Sequence, residues 1–143
     1  MTAAKRTKAI VTKGKKKTAI ARVRIKEGKG SLRVKGKPID VYNPEYAKQI
    51  ILEPIIIAAD VLGTGFEKGL DIAANVKGGG VMSQAQACRT AIGKALVAWS
   101  KNDGLKDVFA KYDRTIIVDD VRRKEAKKFL RKGARAKPIK SYR

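Results

Sequence analysis

The chain contains no histidine and a single cysteine, Cys88. A lone thiol closes no internal disulfide. Without imidazoles the usual donors for zinc are missing, as is the commonest general base at neutral pH. Long apolar runs are missing too: the longest, Pro54 to Ala59, stops at Asp60, far short of the roughly 20 residues a membrane-spanning helix needs. No secretory apolar region follows Met1, so a soluble cytoplasmic chain is the expectation. Carboxylates are scarce: 13 Asp and Glu stand against 34 Lys and Arg, a net charge of +21 in 143 residues. Such self-repulsion calls for a polyanionic partner, with nucleic acid the first candidate and an anionic membrane surface the second.

The cations are unevenly placed. Residues 1–17 hold seven (Lys5, Arg6, Lys8, Lys13, Lys15, Lys16 and Lys17) and no carboxylate, while residues 122–143 hold eleven and only Glu125. The sequence therefore divides into a basic N-terminal arm (1–17), a nearly balanced globular body (18–121) and a basic C-terminal helix and tail (122–143). The N-terminal arm lacks an apolar periodicity and is expected to be extended, ordering only on a partner. In the C-terminal part, Arg122 to Lys132 is expected to form a cationic helix anchored by Phe129 and Leu130 and ended by Gly133. Ala134 to Arg143 has no apolar face with which to bury itself.

The body opens with alternation of period two. Ala19, Ala21, Val23 and Ile25 share one face of a strand, with Arg22, Arg24 and Lys26 on the other. Glu27-Gly28-Lys29-Gly30 has turn chemistry, after which Leu32 and Val34 resume the apolar face and Arg33 and Lys35 the basic one. The pattern predicts a hairpin with a cationic outer ribbon. Asn43-Pro44-Glu45 predicts a helix start with Asn43 as N-cap, and Pro54 should break or kink that helix. Ile55, Ile56, Ile57, Ala58, Val61 and Leu62 read as buried, which makes this region scaffold without chemistry. Leu70 to Val76 alternates as a second strand. Asn102-Asp103-Gly104 marks a turn and cap before a short helix carrying Leu105, Val108, Phe109 and Tyr112. Thr115 to Val118 reads as a last strand, followed by Asp119 and Asp120 on opposite faces, which argues against a paired metal site.

Between these lies Lys77 to Leu96, a triple glycine opening a long helix. Gly78, Gly79 and Gly80 tolerate positive φ and leave backbone amides open at a helix N-terminus, a seat for phosphate beside Ser83, Gln84 and Lys77. Ala85, Cys88, Ile92, Leu96 and Trp99 form the helix's core stripe. Small neighbours (Ala87, Ala91, Gly93, Ala95, Ala98) permit close approach to a sheet, and Cys88 is expected to be a buried thiol. A Walker loop would need Lys-Ser or Lys-Thr where Val81-Met82 stands, and no G-x-G-x-x-G can be laid on the segment. A small-molecule kinase of the galactokinase and homoserine kinase type also places a glycine-rich loop before a helix. No strong catalytic set accompanies the loop here, and such an enzyme leaves the basic arms unexplained.

Gly78-Gly79-Gly80, two residues, Ser83-Gln84, two residues, Ala87, three residues, Ala91, one residue, Gly93-Lys94-Ala95-Leu96 resembles the signature of the small-subunit ribosomal protein S-nine family. Lys17-Thr18-Ala19-Ile20-Ala21-Arg22-Val23 and Val34-Lys35-Gly36-Lys37-Pro38 are also similar to it. So are Asp120-x-Arg122-x-x-Glu125-x-Lys127-Lys128 and Gly133-Ala134-Arg135. The Lys140-Ser141-Tyr142-Arg143 ending, with no long N-terminal extension, resembles the archaeal branch. The resemblance implies an α+β fold of the ribosomal protein S-five domain-two type, with a left-handed βαβ crossover. It further implies a non-enzymatic constituent of the small-subunit head that binds the 3′ major domain of the ribosomal RNA and neighbouring head proteins, with no membrane, small-molecule substrate, metal or cofactor. The candidate RNA-binding residues are then the seven cations of residues 1–17, Arg22, Arg24, Lys77, Gly78, Gly79, Gly80, Ser83 and Gln84, with Arg122, Arg123, Lys127, Lys128, Arg131, Lys132 and Arg135. Lys140, Ser141, Tyr142 and Arg143 are implied to reach tRNA in the peptidyl site.

Overall fold

The computed structural model of the chain describes residues 9–138 and residue 140. Five strands, β1 (Ile10–Lys16), β2 (Ala19–Glu27), β3 (Leu32–Val34), β4 (Lys37–Pro38) and β5 (Leu70–Lys77), form one sheet in the order β1-β2-β5-β3-β4. The β3/β5 pair is parallel and the other pairs are antiparallel. Three helices, α1 (Glu45–Leu62), α2 (Val81–Ser100) and α3 (Asp103–Tyr112), complete a mixed α+β architecture. Among the described residues no helix is long and apolar enough to cross a membrane.

The alternation read from the sequence sets the two sheet faces. Ala19, Ala21, Val23 and Ile25 of β2 and Leu70, Ile72, Ala74 and Val76 of β5 are buried, in a register that pairs Val23 with Ala74 and Ile25 with Ile72. Helix α2 lies directly on β1 and β2, and α1 packs beside it. Ala85, Cys88, Ile92 and Leu96 join the sheet residues in one core. Burial pushes the Cys88 thiol up to about 12, because an apolar surround disfavours the thiolate.

Helix and sheet meet closely because the facing residues are small. A Cβ on Gly14 of β1 would lie 2.6 Å from the Ala91 nitrogen, and the Thr12 hydroxyl donates to the Ala91 carbonyl at 2.8 Å. On another side of α2, a Cβ on Gly93 would stand 3.0 Å from the Ile116 carbonyl oxygen. Arg89 ties the helical layer together. It donates to Asp113 at 2.8 Å, to the Thr115 hydroxyl at 3.0 Å and to Glu53 of α1 at 3.0 Å.

Several elements depart from the sequence-based expectation. Ile10 to Lys16, expected to order only on a partner, is an edge strand paired along its length with β2. Beyond it, Asp120 bridges to β1, its nitrogen donating to the Lys15 carbonyl at 3.0 Å and its carbonyl accepting from the Lys17 nitrogen at 2.8 Å. The expected hairpin of β2 with β3 does not form, because β5 lies between them. The intervening loop is pinned across the start of β5 by Asp71, which accepts from the Ser31 hydroxyl at 2.8 Å and from the Ser31 and Lys29 nitrogens at 3.1 Å.

Helix α1 starts one residue later than expected, with Pro44 rather than Asn43 at its N-cap, and Pro54 does not end it. Flanking core contacts of Ile51, Ile55 and Ala58 hold both halves of the helix in place. Ile56 and Val61, expected inside, are exposed. Thr115 to Val118 is no strand: a 3₁₀ turn at Arg114–Ile116 forms instead, capped by the Asp113 side chain, which accepts from the Thr115 nitrogen at 2.8 Å. An Asp at that point offers the backbone a local alternative to a ladder. Arg122 to Lys132 forms no helix, and its expected anchors Phe129 and Leu130 are exposed. With neither side chain docked and cations crowding successive turns, nothing offsets the cost of helix nucleation.

Candidate nucleic-acid interface

With helices on one face of the sheet, the other face carries the outward residues of every long strand. Register places Lys13 opposite Arg22 and Arg22 opposite Asn75. A neighbouring row runs Val11, Arg24, Ala73, Arg33. Paired residues share a face, so four strands deliver cations to one surface. At its centre is an open groove of about 580 Å³, walled by Arg22, Arg24, Arg33 and Lys35, with Ala73 and Asn75 in its lining. Smaller recesses adjoin it toward Lys26 and Ser31 at one end and toward Ile20 and Lys77 at the other. Small residues on β5 let the long Arg and Lys side chains of its neighbours stand as walls. The strip between Ile20 and Lys26 is about 20 Å long at the rise of an antiparallel strand.

One carboxylate interrupts the strip. The Ser31 hydroxyl and the Ser31 and Lys29 amides hold Asp71 at about 2, and Lys26 Nζ lies 3.5 Å from it. That end is locally neutralised, while Arg22, Arg24, Arg33 and Lys35 face no carboxylate among the residues that line the central groove.

The triple glycine abuts this groove through a chain of hydrogen bonds. Gly78 and Gly79 have φ of 75° and 66°, left-handed values that a side chain would strain. A Cβ on Gly78 would also lie 2.6 Å from the Thr18 carbonyl oxygen. The Gln84 amide nitrogen donates to the Gly78 carbonyl at 3.0 Å, and Lys35 donates to the Gln84 Oε1 at 2.7 Å. Gln84 thus braces the loop internally. Gly80 is the N-cap of α2 without a side-chain hydrogen bond, and no acidic residue occupies the first turn. The positive end of the helix dipole is left uncompensated by the chain's own carboxylates.

The predicted residues that the structure describes fall into three groups. Lys13, Arg22, Arg24 and Lys77 share the uncovered sheet face, and Lys35 connects it through Gln84 to Gly78 and Gly79, with Gly80 and Ser83 next to them at the start of α2. Lys15 and Lys16 sit on the β1 edge, where Lys16 pairs with Asp120 at 2.9 Å and the Lys15 nitrogen donates to Asp119 at 3.1 Å. Lys17 is exposed at the β1–β2 turn. Hydrogen bonds from Arg122 and Lys16 hold Asp120 well below the usual carboxylate range.

Arg123, Lys127, Lys128, Arg131, Lys132 and Arg135 belong to an open segment whose own contacts include the Arg135–Glu125 pair at 2.7 Å and a bridge between Arg131 and Pro138. Lys140 is exposed. Lys5, Arg6, Lys8, Ser141, Tyr142 and Arg143 lie outside the described residues. Arg33 and Lys35 belong at the centre of the groove, although sequence reasoning placed them only on a hairpin ribbon. Their alternation was the signal, and the inserted β5 was what hid their place beside Arg22 and Arg24.

Among the described residues no cluster of three or more His, Cys, Asp or Glu could hold a metal ion. Comparison with known proteins gives a consistent picture. The family model described as "Ribosomal protein S9/S16" matches residues 14–143. The chain is 45% identical over 136 residues to "Small ribosomal subunit protein uS9" of Methanothrix thermoacetophila, covering 95% of this chain and 99% of the relative. The protein of the same name in Thermoplasma volcanium is 46% identical over 134 residues, 94% and 98% of the two chains. That of Methanococcus vannielii is 44% identical over 138 residues, 95% and 99%.

Proposed function

Since the chain belongs to the Ribosomal protein S9/S16 family, we propose that it is a structural, non-enzymatic constituent of the small ribosomal subunit whose uncovered sheet face holds ribosomal RNA. The observation that carries RNA binding is the groove walled by Arg22, Arg24, Arg33 and Lys35. Four cations from two stretches of chain, brought together across β5, surround one shallow channel, the arrangement that recognises a phosphate backbone by shape rather than by base sequence. The uncapped start of α2 beside it adds backbone amides for a further phosphate.

On this reading the RNA is the 3′ major domain in the subunit head, and the open segment from Arg122 onward neutralises phosphates where RNA strands crowd together. Lys140, Ser141, Tyr142 and Arg143 form the part that contacts tRNA in the peptidyl site, within cytoplasmic ribosomes. The β3–α1–β5 connection is the left-handed crossover of the ribosomal protein S-five domain-two fold, a reading supported by the parallel β3/β5 pair joined through a helix. The deciding experiment measures affinity of the isolated protein for small-subunit RNA fragments as salt is raised. Arg22→Ala with Arg24→Ala should lower the slope of log affinity against log salt by about 2. An unchanged slope would remove the sheet face from the interface.

A further inference from the structure

The face of α1 beside α3 has a chemistry opposite to that of the sheet. Tyr46, Ile50, Glu53, Ile57 and Asp60 recur at three- and four-residue spacing, which puts them on one stripe of the helix. Ile56 is 64% exposed, Tyr46 65% and Tyr112 of α3 61%. Between the two helices lies an open groove of about 430 Å³ lined by Gln49, Ile50, Glu53, Ile56, Ile57 and Tyr112. Exposed Ile56 and Tyr112 beside half-buried Ile50 and Ile57 around one groove mark an interaction surface, because isolated apolar residues scattered over a surface would not assemble one.

Charge selects the occupant. The groove lining has one carboxylate and no Lys or Arg, in a chain that carries 34 of them. Helix α1 as a whole has Glu45, Glu53 and Asp60 against Lys48 alone. The Glu53 carboxylate, within hydrogen-bonding reach of the Tyr112 hydroxyl, pushes that phenol upward. Glu53 at 2.6 Å and Asp113 at 2.8 Å share the single Arg89 guanidinium, so this cluster at the groove rim keeps a net negative charge. A phosphate backbone would be repelled here, and the donors that line the groove, the Gln49 amide and the Tyr112 hydroxyl, are neutral and too few to repay its desolvation. A basic protein would be attracted by the rim and would seat apolar side chains in the centre.

We propose that the α1–α3 groove docks a segment of a neighbouring basic protein of the same particle, with its apolar side chains between Ile50, Ile56 and Tyr112 and its Lys or Arg toward Glu53 and Asp60. The assignment rests on the small-subunit reading above. It makes the protein two-sided, with RNA on the sheet and protein on the helices.

The test uses thiol probes in native small subunits purified from cells that carry the variant in place of the natural chain. Cys88 is buried and does not compete for maleimide labelling. Ile56→Cys, with Tyr46→Cys as a second position should the first fail to enter subunits, reports on the helical face, and Val11→Cys reports on the sheet. Maleimide labelling at position 56 should be at least about tenfold slower in subunits than in the free protein, as expected where contacts exclude water. A benzophenone attached there should cross-link to a protein segment containing both apolar and basic residues. Labelling as fast as in the free chain overturns the assignment, and so does a cross-link from position 56 to RNA or to a second copy of this chain. The probe at position 11 should cross-link to RNA. Its failure, with the chain still in the particle, overturns the RNA groove but leaves the helical one standing. Absence of the chain from subunits overturns both.

Discussion

The two open grooves differ in nearly every property that decides what they bind. The sheet groove is walled by Arg22, Arg24, Arg33 and Lys35, and the helical groove by Ile50, Ile56, Ile57 and Tyr112 with Glu53. The first is built from the outward positions of strands whose inward positions form the core, so the fold tolerates any soluble residue there. The second mixes half-buried Ile50 and Ile57, which pack against the core, with Ile56 and Tyr112, which the fold leaves in water. Net charge conceals this contrast: +21 describes the chain, while helix α1 carries more acid than base. A strongly basic protein can thus keep one acidic, apolar face, and the distribution of charge says more about partners than its sum.

The sharpest way to break the contrast is to reverse charge on the sheet. Arg22→Glu, Arg24→Glu and Arg33→Glu together should weaken binding to small-subunit RNA at low salt on the order of 10³-fold by filter binding, through lost phosphate contacts and new repulsion. Circular dichroism should be unchanged, because all three side chains are exposed. Ile56→Asp should leave the same affinity within about twofold, as a surface change remote from the interface should.

A smaller effect is expected from the link that holds the helical face together. Arg89→Met removes the guanidinium shared by Glu53, Asp113 and Thr115. Urea unfolding should show a loss of about 3 kcal/mol, because carboxylates are left unpaired in a partly buried cluster. Next comes Gly79→Ala, which forces a side chain onto a left-handed residue. It should cost about 1–2 kcal/mol, read by the same unfolding curves.

The smallest effect concerns Asp71 at the end of the sheet groove. Its folded pKa of about 2 lies below the ordinary 3.8, so its contribution to stability is present above the unfolded value and is lost as pH falls from near 4 toward 2. Asp71→Asn should flatten the decline in the urea midpoint over that window. An identical decline in both proteins would remove Asp71 from the acid response.

Legibility in the sequence followed the strength of local patterning. The β2 and β5 alternation, the core stripe of α2 and the positive-φ glycines were all readable, because each depends on neighbours within a few residues. Strand β1 was not. Its inward positions are Ile10, Thr12, Gly14 and Lys16, of which Ile10 alone is a large apolar residue, and α2 approaches so closely at Ala87 and Ala91 that the core there needs no bulk. A strand whose buried face must be small carries no hydrophobic signal. The partner of β3 was equally hidden, since its pairing with β5 depends on how α1 returns the chain. Helix α1 misled at two positions for the reverse reason: its apolar residues predict burial, which holds for Ile55 and Ala58, while the exposure of Ile56 and Val61 becomes visible only once the helix has been placed beside α2 and α3.

The ends of the sheet bear on how such a chain survives before it finds its particle. Strand β4 is two residues long and includes Pro38, which offers no amide to a newcomer. On the opposite edge, Asp120 occupies hydrogen-bonding positions of β1 at Lys15 and Lys17, and its carboxylate holds Lys16 and Arg122 at the same place. The β4 border is thus too short to template a new strand, and on β1 the clasp closes the end at Lys15 to Lys17. The same short clasp that finishes the fold therefore also shortens the stretch of β1 on which another chain could pair.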